Sequence, residues 1–128
     1  MSFKSPHKVA IVGAGNVGAS TAFALLFSPL VKKIVLVDKN QARAEGEAMD
    51  LAHAASLIRP VDIYAGGPAD CSNAKIIIFT AGVNQQPGET RLDLAQHNTA
   101  IVREALPPLL EHCPGATLIM VTNPVDIL

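Results

Sequence analysis

The chain has 128 residues, the size of one ordinary domain and long enough to bury a core. Ten basic against eleven acidic residues leave a formal net charge of -1, which provides no overall field to hold nucleic acid or an anionic membrane surface. Charged residues make up 16% and hydrophobic residues 49%; the first figure is below the roughly 25% of ordinary soluble domains, so part of the surface is expected to be covered by something else.

In chain order, Lys8 to Val12 is a short apolar run and Asn16 to Phe27 is helical in character and free of charge. Ala22 to Val31, the longest apolar run, is interrupted by Ser28 and Pro29 and falls short of the roughly 18 residues of a membrane span. It follows a glycine cluster rather than a basic leader, so it does not read as a signal peptide. Ile34 to Val37 is a second strand and Asn40 to Ala55 a second helix. Val61 to Tyr64 makes a third strand, bounded by Gly66-Gly67. Only Ala65 to Lys75 then remains before the fourth, Ile76 to Thr80, enough for a short crossover. Arg91 to Leu106 predicts a helix that Pro107-Pro108 should kink or end, and Thr117 to Thr122 a fifth strand. Strands that are continuous apolar runs, alternating with helices, point to an α/β fold: a parallel sheet of about five strands with helices on both faces. Cys71 and Cys113 share no metal-ligand spacing and read as buried, reduced thiols of a cytoplasmic protein.

The first loop carries the sharpest chemistry. "KVAIVGAGNVGAS" places Gly13, Gly15 and Gly18 in a G-x-G-x-x-G spacing directly after a strand and at the start of a helix. Gly13 permits the tight turn, Gly15 lets backbone approach a diphosphate, and Gly18 lets helix and strand pack closely. The helix N-terminus then offers N–H groups to the phosphates. Asp38 ends "KIVLVD", where an acid would bind ribose hydroxyls and repel a 2′-phosphate, favouring NAD over NADP.

Four segments, "VAIVGAGNVGAS", "EGEAMDLAHAA", "AGVNQQPGETRLDL" and "VTNPVDIL", resemble the lactate and malate dehydrogenase family in order and spacing, along essentially the whole chain. The resemblance is closest to the amino-terminal, NAD-binding part of the L-lactate enzymes and implies a Rossmann-type sheet over residues 1–128. By that resemblance the segment after the fourth strand is a mobile loop that closes over substrate, and Arg91 is the catalytic arginine that polarises a ketone carbonyl. Gln85 matches the position that reads the substrate's side group. An uncharged amide cannot neutralise a buried second carboxylate, so Gln85 favours pyruvate over oxaloacetate. Asn123 matches a residue at the nicotinamide and substrate, with a cis bond expected before Pro124. Asn16, Val17, Arg43, Ala81, Gly82 and Val121 match further cofactor-contacting positions, Arg43 on a variable part of its helix.

Other conspicuous residues carry less. His53 lies on a packing helix, and His7, His97 and His112 have no carboxylate at a telling spacing, so none reads as a catalytic base. Asp50, Asp93 and Asp126 suit capping or pairing, and Glu45 and Glu47 a solvated or interface helix face. The resemblance also implies that the family's proton-donating histidine, its paired aspartate and a second, carboxylate-gripping arginine lie beyond residue 128, with the sixth strand and the substrate domain. The chain is therefore expected to be an incomplete sheet that carries the NAD-binding residues and does not turn over by itself. Its charge-free first helix and small-residue second helix should leave apolar faces that favour a homo-oligomer. The alternatives are a malate-type enzyme and a non-enzymatic NAD-binding scaffold; no metal is expected.

Overall fold

The computed structural model describes residues 7–124. Five strands form one parallel sheet in the order β3-β2-β1-β4-β5, where β1 is Lys8–Val12, β2 Lys33–Val37, β3 Asp62–Ala65, β4 Ile76–Phe79 and β5 Thr117–Met120. Three helices intervene: α1 (Asn16–Leu25), α2 (Gln41–Ile58) and α3 (Arg91–His112), with a 3-10 turn at Pro68–Cys71 between β3 and β4. That turn is the short crossover expected there. The registers are all parallel, with Val12 opposite both Val37 and Phe79.

The inner strands β1, β2 and β4 are buried on both faces because their alternate side chains serve different cores, whereas edge strand β5 leaves Ile119 exposed. Val9 and Ile11 of β1 join Ile34, Leu36 and Ile78 beneath α1 (Ala22) and α2 (Ala44, Ala48, Leu51 and Ala55). Ala10 and Val12 join Val35, Ile77 and Phe79 against Leu109 of α3 and Cys71 of the 3-10 turn. Small residues on α2 keep that helix close to the sheet, consistent with its alanine-rich sequence.

Three helix ends differ from expectation, and the simplest is α2, which runs on past Ala55 to Ile58. α3 does not stop at Leu106 but runs through Pro107 and Pro108 to His112. The two carbonyls that lose their N–H partners to these prolines belong to Arg103 and Glu104, both exposed, so water can serve them, while Leu109 beyond is 1% exposed and anchors the last turns. α1 stops two residues short of Phe27, and its end is held from a distance: the Arg59 guanidinium donates to the carbonyls of Leu25 at 3.0 Å, Leu26 at 2.7 Å and Val31 at 2.5 Å. Both cysteines are buried and unbridged. Burial is the main cause that pushes the Cys71 thiol up to about 11, with Cys113 adding to it.

Apolar side chains remain uncovered where the composition suggested they would. Phe23 and Phe27, in edge-to-face contact at 5.5 Å, are 47% and 62% exposed, and Leu57 of α2 is 89% exposed.

Candidate functional site

Order reverses between β1, whose chain continues toward β2, and β4, whose chain continues toward β5. At such a switch point the loops leaving the two strands diverge and open a crevice. A cleft of about 670 Å3 lies there, lined among others by Gly13, Gly15, Asp38, Arg43, Thr80, Ala81 and Gly82.

The three fingerprint glycines have separate causes. Gly13 has φ of +103°, and a Cβ there would sit 2.7 Å from the Ala81 nitrogen. A Cβ on Gly18 would sit 1.8 Å from the Gly13 carbonyl oxygen, so α1 could not approach β1 with any side chain at that position. Gly15 differs: the nearest atom to its would-be Cβ is the Arg43 guanidinium at 3.8 Å. The fold tolerates a methyl group at Gly15, and what the missing side chain leaves free is the cleft itself.

α1 begins at Gly15 with no side-chain cap and no acid in its first turn. The other two helices are capped by Asn40, which accepts from the Arg43 N–H at 3.1 Å, and by Thr90, which accepts from the Asp93 N–H at 3.1 Å. The first-turn amides of α1 are thus the ones left for an anion. Asp38 stands at the end of β2, and its two carboxylate oxygens accept from the N–H groups of Ala14 at 2.7 Å and Asn40 at 2.8 Å. An open glycine backbone, an uncapped helix start and a carboxylate one strand away together fit a dinucleotide with free ribose hydroxyls.

Of the residues singled out in the sequence, Gly13, Gly15, Asp38, Arg43, Ala81 and Gly82 come together on the cleft wall. Asn16, Val17 and Gly18 lie in the first turn of α1, beside the wall rather than in it. Val121 and Asn123 follow β5, and the Asn123-Pro124 peptide is cis, as expected. Gln85 and Arg91 also lie outside the wall. Gln85 donates from its amide to the Glu89 carbonyl at 2.6 Å, and Arg91 opens α3. The segment between them is exposed and braced by itself. A Pro87-Gly88 turn, with Gly88 at φ +86°, is closed by the Glu89 N–H donating to the Gln86 carbonyl at 3.0 Å, and the Glu89 carboxylate accepts from the Gln86 N–H at 3.0 Å. His97, for which no carboxylate stood out at a telling spacing, lies one helical turn after Asp93, whose carboxyl it helps Thr90 to hold below its ordinary value, and stands 3.6 Å from Glu89, which the turn brings to it. Asp126 lies outside the described residues.

Three polar residues at the site went unnoticed in the sequence. Thr80 donates toward the β1 carbonyls of Val12 at 2.9 Å and Gly13 at 3.1 Å. Thr122 is buried and donates toward the carbonyls of Phe79 at 3.2 Å and Ala81 at 2.7 Å. Asn98, 1% exposed, accepts from the Val83 N–H at 2.9 Å and donates to the Asn123 carbonyl at 2.5 Å. It ties the root of the 84–90 segment to the end of β5. A polar residue in phase with Leu94 and Ala95 on an otherwise buried stripe was the available signal.

Relatives share the fold. The lactate/malate dehydrogenase NAD-binding domain matches residues 7–128. An L-lactate dehydrogenase of Moorella thermoacetica is 70% identical over 128 residues, which is all of this chain and 40% of that protein. The structure of a malate dehydrogenase from Archaeoglobus fulgidus in complex with NADH superposes with a TM-score of 0.86 at 41% identity, over 93% of this chain and 41% of that one. A minor L-lactate dehydrogenase from Enterococcus mundtii in a ligand-bound form gives 0.84 at 39% identity, over 92% of this chain and 38% of that one. The chain belongs to the lactate/malate dehydrogenase family, whose NAD-binding domain it forms.

Proposed function

We propose that this chain supplies the cofactor site and the substrate-closing loop of a cytoplasmic, oligomeric L-lactate dehydrogenase that interconverts a 2-keto acid and its 2-hydroxy acid. The observation that carries the cofactor half is Gly15, whose absent side chain serves the cleft and not the fold. Bound there, NAD supplies the hydride acceptor and NADH the donor. Gly13, Gly15, Asn16, Val17 and Gly18 would hold the diphosphate through backbone, Asp38 the adenosine ribose, and Arg43, Ala81, Gly82, Val121 and Asn123 the rest of the cofactor.

Arg91 is the residue assigned to catalysis. It occupies the first position of α3, where the positive end of the helix dipole disfavours a cation. On a closing loop it would polarise the substrate carbonyl as water is expelled. Gln85 and Asn123 would contact the substrate. The uncharged Gln85 supports pyruvate over oxaloacetate and sets the lactate reading above a malate-type one, despite the structural likeness to the Archaeoglobus enzyme. The exposed apolar side chains of α1 and α2 support an oligomer. Among the described residues no helix is long and apolar enough to cross a membrane, and no cluster of potential metal ligands occurs.

The test is keto-acid preference in a polypeptide completing this chain with the remainder of the Moorella thermoacetica L-lactate dehydrogenase. Pyruvate should be reduced at least about tenfold more efficiently than oxaloacetate, and Gln85→Arg should reverse that order by pairing the second carboxylate. Equal use of both acids by the unaltered chain would contradict the assignment.

A further inference from the structure

The peptide unit joining Gly13 to Ala14 is held at both ends by side chains from two different strands. Its carbonyl faces the Thr80 hydroxyl at 3.1 Å, at the end of β4. Its N–H donates to the Asp38 carboxylate at 2.7 Å, at the end of β2. The hydroxyl also reaches the Val12 carbonyl at 2.9 Å, so its one proton is shared between the carbonyls on either side of the Val12-Gly13 junction. Two fingerprint glycines make room for this oxygen: a Cβ on Gly13 would lie 2.7 Å from Thr80 Oγ1, and one on Gly18 would lie 2.9 Å from it.

The pinning matters because the two atoms belong to one rigid plane that follows a glycine, the residue least able to fix its own backbone. Rotated the other way, the plane would turn a carbonyl oxygen into the cleft, where the negative end of a dipole would oppose a diphosphate. We propose that Thr80 is a positioning residue for diphosphate binding, holding the Gly13-Ala14 peptide in the orientation the ligand requires while Asp38 holds its other end. This rests on the reading of the cleft as a dinucleotide site. It gives the hydroxyl a function apart from the fold and gives Asp38 a second one besides the ribose.

The experiment compares Thr80→Val, which keeps the shape and removes the hydroxyl, with Thr80→Ser, which restores it. NADH binding is followed by cofactor fluorescence, and adenosine, which has no phosphate, by amide chemical shifts. Loss of one hydrogen bond to the loop should weaken NADH about tenfold in Thr80→Val, while Thr80→Ser stays within about threefold of the unaltered chain and adenosine is bound alike by all three. The proposal is overturned if Thr80→Val binds NADH as the unaltered chain does, if serine fails to restore affinity, or if adenosine weakens in parallel. Hydrogen exchange at the Ala14 amide needs no variant: protection in the unaltered chain is expected, and exchange at an unprotected rate would show that the peptide is not pinned. An unaltered chain that binds adenosine but not NADH overturns the proposal together with the dinucleotide reading beneath it.

Discussion

The glycine loop and the 84–90 segment leave neighbouring strands on the same side of the sheet, yet they are built in opposite ways. The glycine loop is fixed by the rest of the protein. The Gly13 N–H donates to the Val37 carbonyl at 2.7 Å, Asp38 and Thr80 hold the next peptide, and Gly13, Ala14 and Gly18 are buried. The 84–90 segment is held by its own turn and is exposed over nearly all its length, while its root is gripped by Asn98 and Thr122. A site that must receive a diphosphate without rearrangement gains from the first construction. A loop that must close over a second ligand gains from the second.

Substitutions within the glycine loop give the largest effects and separate fold from binding. Gly18→Ala, whose methyl would meet the Gly13 carbonyl at 1.8 Å, should cost about 3 kcal/mol or more in thermal or urea unfolding. Gly15→Ala should unfold within about 0.5 kcal/mol of the unaltered chain. If both destabilise equally, the distinction between a structural and a ligand-facing glycine fails.

The contrast between root and tip of the 84–90 segment is next in size. Asn98→Ala would leave the Val83 N–H and the Asn123 carbonyl without their partner, a loss of about 2–3 kcal/mol. Glu89→Ala, which removes only exposed bonds within the turn and the contact to His97, should stay within about 0.5 kcal/mol. A large loss at Glu89 would mean the turn is part of the folded core.

Smaller effects follow from titration. The Thr90 backbone N–H and then its hydroxyl hold the Asp93 carboxyl below its ordinary value of 3.8. A depressed folded-state pKa stabilises the native form above the ordinary value and is lost as pH falls through the depressed one. Amide exchange in the first turn of α3, which carries Arg91, should therefore accelerate below about pH 4. The Cys71 thiol, pushed up to about 11 by burial, should react with iodoacetamide at pH 8 far more slowly than a free thiol. Rapid alkylation would show that the face beneath α3 opens readily.

Much of this was legible in the sequence. The apolar runs placed all five strands, and the spacing of Gly13, Gly15, Gly18 and Asp38 marked the cleft, because local periodicity and turn chemistry are written in neighbouring residues. What depends on distant partners was not. Arg59 gave no sign that it would hold carbonyls 28 to 34 residues away, and Thr80 looked like the end of a strand. The helix end expected at Leu106 was misplaced because local helix-breaking chemistry lost to solvent access at Arg103 and Glu104 and to the burial of Leu109. Gln85, Arg91 and Asn123 owe their assignment to family likeness, since they lie outside the cleft wall on separate segments.

The central claim, that the open backbone at Gly15 is a dinucleotide site, is tested most directly by NADH titration of this chain and of its Gly15→Ala variant. The chain contains no tryptophan, so cofactor fluorescence is read against little background. Saturable enhancement that weakens at least about tenfold in Gly15→Ala, with unfolding unchanged, is the expected result. Absence of binding by the unaltered chain, or equal affinity in the variant, would contradict it.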